Sequence, residues 1–174
     1  RDLVTVRPKL TVERATPSDH PLLDRLMQLY CYDFSEFSEM ALNSDGSYAD
    51  PEYIREQLGP NHDQYVFRVD GTPAGFGIVT RGSCLNDAPD VTDMTQFFVM
   101  RAHRRQRVGE RAATDLFRRY GGRWEVRVIR SNTAAHRFWR GTIKAFTGAN
   151  YRECDIATDR HDGPVFLFES RAAG

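Results

Sequence analysis

The stretch Asp93–Tyr120, DMTQFFVMRAHRRQRVGERAATDLFRRY, decides how the rest of the chain is read. The residues from Val91 to Met100 form a strand, mostly apolar at its end and therefore central in a sheet. The sequence then turns basic, as Arg101-Ala102-His103-Arg104-Arg105-Gln106-Arg107-Val108-Gly109. Helical spacing follows. Val108, Ala112, Leu116 and Tyr120 make an apolar stripe with Ala113 and Phe117 beside it, and Arg111, Asp115, Arg118 and Arg119 face outward. A strand running through a basic loop into a helix N-terminus makes an anion site. The first backbone N–H groups of the helix point outward, and its dipole favours negative charge there. Gly109 lets backbone approach a phosphate closely. No GK[ST] is present, so the loop is not a Walker motif, and the glycines of a dinucleotide fingerprint are missing. Taken alone, a solvated basic loop accounts for the same residues.

Outward from this unit, periodicity predicts the other elements. Leu10–Ala15 alternates as a half-buried strand, and Thr16-Pro17-Ser18-Asp19 offers helix-capping residues. Leu22, Leu23, Leu26, Met27, Leu29 and Tyr30 have helical spacing and lead into the aromatic and acidic run Tyr30–Phe37. Residues 43–47 are loop, and a short helix follows near Pro51 to Leu58. Gln64–Asp70 and Pro73–Val79 are strands joined by the turn signal Asp70-Gly71. Gly121-Gly122 ends the helix after the basic loop, and Trp124–Ile129 is a strand. Asn132-Thr133 caps a helix from Ala134 to Ala145. Tyr151–Ile156 and Val165–Phe168 are the last strands, with the turn at Asp162-Gly163. The fold class is α/β with a mixed sheet.

Composition narrows the function. The 174 residues fit one domain, 1–174, with an ordinary globular make-up of 40% apolar and 28% charged residues. Lys+Arg and Asp+Glu are both 24, a net charge of +0, which opposes a general polyanion binder. Lys9 and Lys144 are the only lysines. No apolar run reaches membrane-helix length, and no signal peptide is legible. Cys31, Cys84 and Cys154 are odd in number and far apart, which argues against a disulfide framework or a zinc site and fits a reducing cytoplasm.

The order of elements and the basic loop resemble the GNAT superfamily of acyl-CoA N-acyltransferases. Arg104 and Gly109 fit the family's pyrophosphate loop [Q/R]-x-x-G-x-[G/A], while Arg107 replaces its first Gly. Val99 precedes Arg104 by five residues, as in the family's V-x-P-x-x-R lead-in, with Arg101 in place of Pro. Asn132, Ala135 and Phe138-Trp139 resemble the N-x-x-A-x-x-[apolar]-Y signature. Tyr32–Phe37 and Gly122–Val128 look like a bacterial subgroup of the family. The resemblance covers Leu10 to Phe168 in element order and Asp93 to Trp139 in motifs. It implies a mixed, mostly antiparallel sheet of six to seven strands flanked by helices. It also implies acetyl transfer from acetyl-CoA to a primary amine.

The resemblance assigns roles by position. The strand backbone at Phe97, Phe98 and Val99 holds the acyl and pantetheine part. Arg104, Arg105, Gln106, Arg107, Val108 and Gly109 hold the pyrophosphate, Asn132 bonds the pantetheine arm, and Phe138 contacts the cofactor. Arg107 is expected to keep ordinary helical angles and aim its guanidinium at the phosphates. Gln96 occupies the neighbourhood of the usual base and accepts no proton, so Asp93, acting through water, is the expected base, with Asp90 beyond it. Trp139 stands at the usual Tyr acid, and its indole does not give up a proton. Tyr30, Tyr32 and Tyr151 are substitutes, with Tyr151 the expected acid. Tyr30, Tyr32, Asp33 and Glu36 form the acceptor wall, suited to a cationic small molecule.

Plainer roles exist for each residue. Asp93 serves equally as a strand or cap residue, Phe138 and Trp139 as helix core, His161 and Asp162 as hairpin, and Tyr30–Phe37 as a packed helix end. Gln96 and Trp139 also motivate a non-catalytic acyl-CoA-binding module with a degenerate site. The Arg101–Arg119 cluster motivates a nucleic-acid binder. The expectation is an enzyme with acetyl-CoA and an amine as partners, no metal, no nucleic acid, no membrane, and a monomeric or homodimeric state.

Overall fold

A computed structural model describes residues 7–172. The elements run β1 (Leu10–Arg14), α1 (His20–Phe34), α2 (Pro51–Gln57), β2 (His62–Val69), β3 (Thr72–Arg81), β4 (Val91–Val99), α3 (Val108–Arg119), β5 (Gly122–Arg127), α4 (Thr133–Thr147), β6 (Tyr151–Ala157) and β7 (Asp162–Ser170). The strands form one seven-stranded sheet, ordered β1-β2-β3-β4-β5-β7-β6. Among the described residues only β4 and β5 pair in parallel.

Strand alternation divides the core between the two faces of the sheet. On one face Val66, Phe76, Ile78 and Phe98 pack against Leu23, Leu26, Met27 and Cys31 of α1 and Ile54 of α2. On the other, Phe67, Val126, Phe166 and Phe168 pack against Val108, Ala112, Ala113, Leu116 and Phe117 of α3 and Trp139 and Ile143 of α4. The apolar stripe of α3 is the one its spacing predicts, except that Tyr120 has left the helix and is extended.

Two turns differ from the sequence expectation. Tyr120 ends α3 on its own, and Gly122, at φ 97°, opens β5 instead of closing the helix. The β6–β7 turn is Thr158–His161, closed by Thr158 N–H donating to His161 O at 2.8 Å. Asp162 and Gly163 already belong to β7. Gly163, at φ 143°, lies so close to the chain leaving β5 that an added Cβ would stand 2.2 Å from Val128 O.

Candidate active site

The site begins where two strands part. β4 and β5 pair only through Val91–Arg123, Thr92–Trp124 and Asp93–Glu125. Beyond Asp93 they share no paired residues. A register shift opposite Ile78/Val79 leaves Thr95 as an extra residue on β4 and bends the strand there. The wedge opens into a cavity of about 990 Å³ lined by Phe97, Phe98 and Val99 of β4, the end of α1, the basic loop and one face of α4.

The basic loop delivers unpaired donors to this cavity. Arg105 and Arg107 both adopt left-handed backbone, at φ 62° and 59°. Arg107 is the N-cap of α3, no side chain caps the helix, and its first intrahelical bond is Arg111 N–H to Arg107 O at 3.0 Å. The amides of Val108, Gly109 and Glu110 precede that bond and have no intrahelical acceptor. The expectation that Arg107 keeps helical angles is therefore wrong, although its side chain does border the cavity. Its Nε and NH2 donate to Glu110 at 3.0 and 2.7 Å. Gly109 serves packing as well as approach: a Cβ there would meet the Phe138 ring at 3.1 Å.

The apolar wall is aromatic. Phe97 lies 4.9 Å from Trp139 and stacks on Phe138 at 6.0 Å and 24°. Tyr30 packs on Phe98 at 5.7 Å and on Phe34 at 5.8 Å. Tyr30 borders the cavity, and its hydroxyl has no hydrogen-bond partner among the described residues. Burial, with Tyr53 beside it, pushes its pKa well above the phenol range. Glu36 lines the same wall and forms no ion pair among the described residues. Asn132 Oδ1 accepts Ala135 N–H at 3.0 Å and caps α4, which leaves its amide nitrogen for a ligand.

Most residues expected at the site meet in this cavity: Tyr30, Asp33, Glu36, Phe97, Phe98, Val99, Arg104, Arg105, Arg107, Gly109, Asn132 and Phe138 line it. Others do not. The Val108 side chain is core, so only its backbone is available. Gln106 turns back to donate to Ala102 O at 3.1 Å. Tyr32 stands 57% exposed and packs on Tyr48. Tyr151 sits on β6 against Phe166 and borders a separate groove.

Asp93 lies at the closed end of the wedge, fully buried. Its carboxylate accepts from Arg127 Nε and NH2 at 3.3 Å each, Thr95 Oγ1 at 2.9 Å and Cys84 Sγ at 3.6 Å. Glu125, beside it, accepts from Ser83 Oγ at 2.7 Å and Cys84 N–H at 3.2 Å, and lies 3.6 Å from Arg127 Nε. Cys84, Asp93 and Glu125 have metal-ligand chemistry, but Arg127 already supplies the cation and every carboxylate oxygen is engaged. Neither Asp93 nor Tyr151 meets the cavity, so both catalytic expectations lose their geometric basis. Arg101, Phe34 and Phe37 line the cavity without having been assigned to it. The spacing of Phe34 and Phe37 from Tyr30 offered a signal for those two, whereas nothing near Arg101 announced its partner Asp33.

A sheet wedged open beside an uncapped helix N-terminus, with an aromatic channel between, suits an acyl donor that carries phosphate. The Acetyltransferase (GNAT) family matches residues 23–142, and the chain belongs to that family. It is an acetyl-CoA-dependent acetyltransferase. No curated protein matches the chain by sequence. The fold is similar to an acetyltransferase from Thermus thermophilus, at TM-score 0.63 and 15% identity over 92% of this chain and 97% of that one. It is also similar to the ribosomal-protein-S18-alanine N-acetyltransferase of Escherichia coli, at TM-score 0.63 and 16% identity over 95% and 97%. A third likeness is the spermidine N-acetyltransferase of Vibrio cholerae in complex with CoA and spermine, at TM-score 0.61 and 11% identity over 92% and 95%. Among the described residues no helix is long and apolar enough to cross a membrane.

Proposed function

We propose that the chain acetylates a primary amine on a small cationic molecule. The observation carrying this reading is the continuity of the cavity, which runs from the open α3 N-terminus along the aromatic wall to Tyr30 and Glu36. The amides from Val108 to Glu110 take the diphosphate of acetyl-CoA. The β4 edge at Phe97–Val99 takes the pantetheine arm, and a backbone N–H there polarises the thioester carbonyl. Glu36 attracts a cationic amine, and Tyr30, Phe34 and Phe37 cover its apolar part.

Tyr30 supplies the proton. The amine nitrogen, after losing its ammonium proton to water, forms the bond to the carbonyl carbon as the C–S bond breaks. The Tyr30 hydroxyl gives its proton to the departing sulfur, and the proton shed by the new amide nitrogen restores the phenol. Tyr30 is protonated at neutral pH, as any phenol is; burial raises its pKa and makes it the weaker acid, so the proton moves only as negative charge develops on the departing sulfur. Asp93, tied to Arg127 outside the cavity, is out of reach for such work.

Thiol release from acetyl-CoA, measured with small primary amines and with peptides bearing free N-termini, tests the reading. Small amines should be the better acceptors. Tyr30→Phe should lower kcat about 10²-fold while CoA affinity holds. Turnover with peptides alone would overturn the small-molecule acceptor, and an unchanged kcat in Tyr30→Phe would remove its role as donor.

A further inference from the structure

The arginines at the cavity mouth are already engaged by a carboxylate of the chain itself. Asp33, in the last turn of α1, accepts Arg101 Nε at 2.9 Å on one oxygen and Arg104 NH2 at 2.7 Å on the other. Partial burial works against the Asp33 charge, yet the Arg104 and Arg101 hydrogen bonds outweigh it and hold the carboxyl below the usual carboxylate range. Two cations thus share one anion beside the open amides of α3, and all three side chains line the cavity.

The two arginines differ in what else holds them. Arg104 donates from Nε to Val99 O at 2.8 Å, and its guanidinium lies over the Phe98 ring at 5.8 Å. Arg101 has no second hydrogen-bond partner among the described residues, and its side chain is 68% exposed.

We infer that Asp33 is an internal stand-in for phosphate, which holds Arg101 and Arg104 in the free protein and yields them to the diphosphate of acetyl-CoA. A diphosphate brings more charge than one carboxylate and also engages the helix amides, so it wins the exchange. The exchange returns a negative charge to the α1 wall of the cavity. Asp33 therefore opposes cofactor binding: it competes for both arginines and repels the incoming phosphates. The inference rests on the acetyl-CoA reading of the cavity.

Calorimetric titration with CoA, and with pantetheine, which lacks the phosphates, tests this. Asp33→Asn should bind CoA about three- to ten-fold more tightly at low salt, the gain shrinking as salt rises, with pantetheine affinity unchanged. Glu36→Gln removes an equal charge from the same wall without freeing an arginine, and should shift CoA affinity less. Placing Asp33→Asn in an Arg101→Ala, Arg104→Ala background should abolish the gain. If Asp33→Asn binds CoA equally or less tightly, or shifts pantetheine as much as CoA, the stand-in role is wrong. A wild type that binds no CoA would instead remove the acetyl-CoA reading itself.

Discussion

Arg107 holds left-handed backbone at φ 59° in a position where the family pattern has glycine. A residue with a Cβ pays about 1–2 kcal/mol for that conformation. Glycine there loses about 0.5–1 kcal/mol through its freer unfolded chain, and the solvent-exposed Arg107–Glu110 pair adds little. Arg107→Gly should therefore melt at the same temperature as the wild type or slightly higher. Arg107→Val, β-branched and poorly suited to positive φ, should melt several degrees lower. Equal melting of all three would show that the loop relaxes out of the left-handed state. The family's glycine marked the conformation, and the arginine in its place obscured it. Asp93 failed to reveal itself for a different reason: its partner Arg127 lies 34 residues away in sequence, across a strand pair that only the fold brings together. Chain spacing cannot distinguish a free carboxylate from one buried against a guanidinium.

At the scale of elements, strands and helices were legible wherever the period was strong, as in α3, β4 and the β2–β3 hairpin. The wedge was not, because it comes from pairing that stops after Asp93 and from the extra residue at Thr95, both non-local. The contact between helices α3 and α4 at Gly109 was equally hidden. Phe138 stacks on Phe97 and covers Gly109, so one ring both seals the helix contact and shapes the aromatic wall of the cavity. Gly109→Ala puts a methyl 3.1 Å from that ring, which must give by a few tenths of an ångström. Alanine's helix propensity, up to about 1 kcal/mol better than glycine in a helix interior, offsets part of the crowding. Stability should change little while acetyl-CoA affinity falls several-fold. Full affinity with a shifted Phe138 environment would show that the ring moves without narrowing the channel.

Over the whole molecule, a net charge of +0 conceals a basic mouth at Arg101, Arg104, Arg105 and Arg107, which composition alone could not locate. A second global property follows from the buried phenols and thiols. Burial raises the pKa of Tyr30, Tyr53, Tyr120, Cys31 and Cys84, with Tyr53 pushed to about 12 and Cys84, beside Asp93, to about 11. Their ordinary values are 9.0 for the thiols and 10.0 for the phenols. Because each folded pKa lies above the unfolded one, the native state binds more protons than the unfolded state across that window. The stability these groups contribute is whole below pH 9 and is lost as pH rises toward 11 to 12. Each group in its window lowers stability by up to about 1.4 kcal/mol per pH unit. Urea unfolding followed from about pH 8 to pH 11 should show a midpoint steady at first and then falling. Cys84→Ser should flatten the start of that fall, since the thiols deprotonate in the unfolded chain before the phenols do. A midpoint that stays level throughout would mean that these side chains reach solvent in the folded protein.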